Sequence, residues 1–105
     1  MRKMKIVFLK EAHGDIGNLY DYIAADSPQN AREMVERIFK QIERLQTYPE
    51  LGKVYADGTL KAYAFRTLVE TPYLIFHRLI GDEVIIYRIL HGARDILAAA
   101  GLFEM

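Results

Sequence analysis

Arg88, His91 and Arg94 crowd the end of the segment IIYRILHGARD, residues 85 to 95. An imidazole titrates near neutrality and serves as acid or base, while guanidinium groups hold phosphate or carboxylate. Arg66, in a middle strand, adds another cation. These residue types suit metal-independent cleavage of a phosphodiester, which needs an acid, a base and cations for the charge on the phosphorane. They suit equally a basic surface that meets a partner. A third possibility is structural: arginine stems cover apolar surface while their heads pair with Glu or Asp.

Other chemistries find no footing. His13, His77 and His91 fall on three separate elements without a cysteine or carboxylate pattern, so neither a metal nor another cofactor is expected. There is no phosphate loop, nucleophile elbow or dinucleotide fingerprint. Ser27, the only serine, is explained as a helix cap. The absence of cysteine excludes disulfides and thiol catalysis and fits a reducing cytoplasm.

The 105 residues fit one domain, residues 1–105, and about half of them are apolar, which is enough for a packed core. No apolar run approaches the ~20 residues of a membrane span, so no membrane partner is expected. The opening MRKMKIVFLK is basic, but its apolar run is too short for a signal peptide. Net charge is zero, yet unevenly spread. Residues 1–10 carry four basic and no acidic side chains; residues 11–50 carry four basic and eight acidic. That balance is too mild for a dedicated nucleic-acid binder and leaves room for a local basic patch.

The elements that must position these groups follow from periodicity. MKIVFL (4–9) predicts a strand. Ile16, Leu19, Tyr20 and Ile23 share one helical face, and a second helix starts at Ser27 and Pro28, the N-cap and first helical position. Its apolar stripe is Ala31, Met34 or Val35, Ile38, Ile42 and Leu45, widened by Phe39; Glu33–Arg37 and Glu36–Lys40 are spaced to pair on the solvent side. Residues 11–47 thus form a helix hairpin. After Gly52 the period changes to two, giving strands over 61–70, 73–80 and 83–91, then a short helical tail in RDILAAAGLF. Gly81–Asp82 is a two-residue hairpin loop with glycine first, which fits a type II′ turn and pairs Ile80 with Glu83. Regular continuation sets His77 against Ile86, Phe76 against Tyr87 and Ile75 against Arg88. The face holding Leu74, Phe76, Ile80, Ile85, Tyr87 and Ile89 is then expected to meet the helices, and the face with His77 and Arg88 to be partly wet. The predicted class is α+β, with an N-terminal strand and a helix hairpin packed on a largely antiparallel sheet of about four strands.

In this order of elements the chain resembles the RelE/ParE superfamily of bacterial type II toxins, and most of all its ParE branch. The resemblance is carried by LYDYIAADSPQNAREMVERI in the helix hairpin, YPELGK after it, FRTLVETPYLIFHRL in the middle strands and VIIYRILHGARD at the end. It implies a growth-inhibiting cytoplasmic toxin neutralised by a cognate antitoxin, with higher-order toxin–antitoxin assembly. In the ParE branch the target is DNA gyrase; RelE-like relatives cleave mRNA on the ribosome. Carried over, the target-binding residues are Arg66, Arg88, His91 and Arg94, with no catalytic residue expected. A nuclease would use Arg66, His91 and Lys53. Leu51 and Gly92 stand where that nuclease pattern wants a charged residue and a tyrosine, which favours the gyrase branch. An inactive relative that only binds an antitoxin is the third alternative.

Overall fold

The computed structural model describes residues 3–54 and 65–95. Within them lie β1 (Lys5–Phe8), α1 (Lys10–Ala24), α2 (Pro28–Arg44), β2 (Lys53–Val54), β3 (Arg66–Glu70), β4 (Tyr73–Ile80) and β5 (Glu83–His91). The predicted helical tail beyond Asp95 and the predicted strand residues 61–64 lie outside the described residues.

The second helix begins as its sequence dictates. Ser27 is extended, its Oγ accepts the Asn30 amide at 3.1 Å, and Pro28 occupies the first turn, where its missing N–H is no loss. Ala31, Met34, Ile38 and Ile42 recur at helical spacing and are all buried, with Leu45 just beyond the end. The first helix buries Ala12, Asp15 and Leu19, while Ile16 and Ile23 pack against the core from its flank. Phe39 stays half-exposed and meets Phe8 edge-on, with ring centroids 6.0 Å apart. Instead of closing an i,i+4 pair with Glu33, Arg37 reaches across to Glu70 of β3 at 3.6 Å.

Five strands make one mixed sheet in the order β1-β5-β4-β3-β2. The strand beyond the expected four is β2, two residues long and too short to leave a period-2 signal. β1 runs parallel to β5, and the other neighbours are antiparallel. Gly81, at φ 62, turns the β4–β5 hairpin, and Ile80 pairs with Glu83 as expected. The predicted register holds as far as His77 opposite Ile86. It then slips: Phe76 faces Arg88 and Ile75 faces Ile89, which leaves Tyr87 as the extra residue of a bulge.

That slip corrects the predicted faces. The helices cover Tyr73, Ile75, Val84, Ile86 and Ile89, together with Leu68 of β3. This is the face expected to be wet, apart from Ile89, which the bulge carries to the helix side. The two polar residues that argued against it are accommodated separately, His77 by complete burial and Arg88 by an ion pair. On the opposite face Phe65 meets Tyr87 edge-to-face at 4.7 Å, and the Arg78 guanidinium lies over both rings at 5.6 and 6.0 Å.

Candidate functional site

β1 covers only the first half of β5, from Glu83 to Ile86. Past that point the outer edge of β5 faces α1, and an aspartate meets it there. Asp15 accepts Arg88 Nε at 2.8 Å, Arg88 Nη2 at 2.9 Å and the Ile89 amide at 2.9 Å. A buried carboxylate demands such saturation, and a bidentate guanidinium plus one backbone N–H supplies it. The bonds to Asp15 raise the already high pKa of Arg88, outweighing the opposing effect of burial. Asp95 does the same two residues further along, accepting the His91 amide at 2.8 Å. Two carboxylates thus occupy backbone donors that an added strand would use.

His91 closes the turn that follows. Its Nδ1 accepts the amides of Arg94 at 3.0 Å and Ala93 at 3.3 Å, and its ring meets Tyr73 edge-on at 5.6 Å. A ring nitrogen that accepts two N–H groups carries no proton, so this pattern places the proton of a neutral ring on Nε2. Arg94, at the rim, stacks its guanidinium 4.2 Å from the Tyr22 ring centroid and lies 3.6 Å from Asp95. Between α1 and this end of β5 opens a cleft of about 350 Å³. Leu19, Tyr22, Tyr73 and Ile89 supply its apolar wall, and Arg88, Arg94, Asp15 and Asp95 its charge.

The other proposed residues sit elsewhere. Arg66 donates through Nη1 to the carbonyls of Glu50 at 3.0 Å and Gly52 at 3.3 Å, fastening the loop after α2 to β3. Lys53 is exposed on β2. Arg66 is opposite His77, and His91 is opposite Tyr73, four residues along β4. Two strand spacings and four residue rises put the Arg66 and His91 Cα atoms ~16 Å apart. Arg88, His91 and Arg94 therefore gather at one end of β5, while Arg66 and Lys53 belong to the far side of the sheet. His13 borders a cleft between the helices.

His77, beside Arg66, is fully buried, and neither ring nitrogen has a hydrogen-bond partner among the described residues. Burial first, and the Arg66 charge second, lower its pKa to about 4. The Leu51 backbone, which would favour the charged form, falls short of hydrogen-bond geometry. Sequence reasoning missed Asp15, Tyr22 and Tyr73 as members of the cleft. Asp15 had left one trace: it stands three residues after Ala12 and four before Leu19, a charge on a buried stripe.

A helix hairpin on one face of a mixed sheet, with a charged cleft at the open edge of the last strand, defines a small α+β domain. Residues 6–96 match the model of the family described as ParE toxin of type II toxin-antitoxin system, parDE, and the chain belongs to that family. It is similar to Toxin ParE3 of Caulobacter vibrioides, 28% identical over 92% of this chain and 95% of that protein. It is also similar to Toxin RelE2 of the same organism, 33% identical over 86% of this chain and 97% of the relative. Among solved structures, the chromosomal ParDE TA system from P. aeruginosa matches with a TM-score of 0.69 and 26% identity, over 85% of this chain and 96% of that one.

Proposed function

We propose that this toxin inhibits DNA gyrase in the cytoplasm and so arrests growth, and that a cognate antitoxin neutralises it. The observation that carries the choice of target is the engagement of the groups a nuclease would need. His91 Nδ1 holds a turn, Arg66 holds two loop carbonyls, and the two residues are ~16 Å apart at their Cα atoms. General acid and base must both reach one reacting bond, within about 3 Å of the protons they move. Arg94 and the rim of the β5 cleft are then the contact with gyrase, with His91 shaping the turn that presents Arg94 and Arg88 bracing the strand beneath. The antitoxin is read as an amphipathic segment seated where Ile16, Tyr20, Val35 and Phe39 line a cleft between α1 and α2.

Purified protein is expected to block gyrase supercoiling and leave translating mRNA intact. Arg94→Ala weakens the block while the domain stays folded; Arg88→Ala is the poorer test, because it strips Asp15 of its partner. The similarity to Toxin RelE2 keeps one rival reading in view, ribosome-dependent mRNA cleavage. Intact gyrase activity, with mRNA cuts that disappear in His91→Ala, establishes that rival and overturns the proposal. For the antitoxin, co-expression of the neighbouring gene product restores growth and the two proteins co-purify; Phe39→Asp abolishes that complex.

A further inference from the structure

Lys3 and Met4, just before β1, find their place beside α2 rather than in the β5 cleft. The Met4 amide bonds the Gln46 carbonyl at 2.8 Å, which lays Lys3 and Met4 against the end of α2. Lys3 thereby joins Lys40 and Arg44, one helical turn apart, around a cleft of about 420 Å³ that Tyr48 and Glu43 also line. Among the described residues no carboxylate lies within ion-pair distance of these three cations; the Arg44 guanidinium bonds only the Gln41 side-chain oxygen, at 2.7 Å. Tyr48 lines the cleft and is 59% exposed. The β5 cleft differs: its two arginines face two aspartates.

We propose that the Lys3–Lys40–Arg44 cleft binds the phosphodiester backbone of a single nucleic-acid strand, with a base stacked on Tyr48. Three cations against one carboxylate, Glu43, leave an excess positive charge that suits successive phosphates, and an exposed aromatic ring beside such charge is the arrangement that holds unpaired bases. A membrane surface fits less well, since the cleft is concave and offers one aromatic ring rather than an apolar face to insert. The site is separate from the gyrase contact proposed above and adds to it a grip on the nucleic acid that a target such as gyrase carries.

The test is fluorescence anisotropy of a labelled oligo-dT with the intact chain. About three phosphate contacts give a log–log salt slope near −2, so affinity falls about twentyfold between 50 and 200 mM salt. Lys40→Gln with Arg44→Gln, both at exposed helix positions, leaves a slope near −0.7 and about a threefold fall. Tyr48→Ala weakens binding about tenfold with the slope unchanged, because stacking carries no counterion. Absent binding, a slope that the double variant does not change, or tighter binding to phosphatidylserine vesicles than to the oligonucleotide each overturns the proposal. The wild-type supercoiling assay is run in parallel. Gyrase inhibition without oligonucleotide binding defeats this inference alone, and oligonucleotide binding without gyrase inhibition defeats the gyrase reading alone.

Discussion

Two polar side chains from the β4–β5 ribbon are withdrawn from water in opposite ways. Arg88 keeps its charge and is answered by a carboxylate 73 residues earlier, bond for bond. His77 gives up its charge and lies fully buried, with both nitrogens unanswered among the described residues. The first solution rests on a guanidinium that stays charged at every ordinary pH, and it fails when either partner is lost. The second needs no partner and fails in acid. Burial of a polar group is thus a matter of which state the group can abandon: a guanidinium cannot deprotonate, so it must be paired, while an imidazole needs only to lose a proton.

Breaking the paired solution has the largest expected effect. Asp15→Ala leaves Arg88 partly buried without its partner and orphans the Ile89 amide, and is expected to cost about 3–5 kcal/mol, read as a lower urea midpoint. Asp15→Leu combined with Arg88→Met recovers part of that loss. The remainder, about 1–3 kcal/mol, belongs to the Ile89 N–H, which no apolar side chain can satisfy.

The unpaired solution is broken by acid. The unfolded chain takes up a proton near pH 6.5, and the folded His77 refuses it until about pH 4. Stability from this group is therefore complete above pH 6.5, declines through the window and is gone below pH 4. At ~1.36 kcal/mol for each pH unit, the loss is about 3 kcal/mol. Urea titrations at pH 7 and pH 4.5 are expected to show that decline in the wild type and a shallower one in His77→Leu.

Gly52→Ala tests the cover over that ring. Gly52 sits at φ 92, and a Cβ there would collide with the Thr67 carbonyl oxygen, with His77 Nε2 also near. The backbone must move, at a cost of about 2 kcal/mol by thermal melting. The smallest effect is expected from Arg66→Gln. Removing that charge raises the His77 pKa only in part, because burial is the larger cause, and so narrows the acid window slightly. An acid window that closes completely in Arg66→Gln would make the imidazole a charge-controlled group instead of a buried one.

The same contrast explains what was legible in the sequence. Ser27, Pro28 and the Ala31–Leu45 stripe announce α2 because a cap and a 3.6-residue period are local signals. Gly81–Asp82 announces the hairpin and its closing pair for the same reason. The buried face was misread because a period of two is blind to an inserted residue, and Tyr87 is one. Asp15 and Arg88 each read as a polar residue on a strand or helix face, and nothing short-range shows that they answer one another. Of the site, Arg88, His91 and Arg94 were visible as a cluster; the aspartates and tyrosines that turn them into a cleft come from α1, the start of β4 and the turn after β5.

The parallel pairing of β1 with β5 has a consequence for biosynthesis. Residues 5–8 leave the ribosome well before their sheet partners, residues 83–86, and both helices are made in between. The α1–α2 hairpin and the β4–β5 hairpin close over short loops and form early, whereas β1 waits for a long-range contact that is slow to find. The nascent chain thus holds an unpaired apolar strand until β5 has been made. Since Asp15 likewise waits for Arg88, sheet and cleft are completed together, and a partly synthesised chain carries neither.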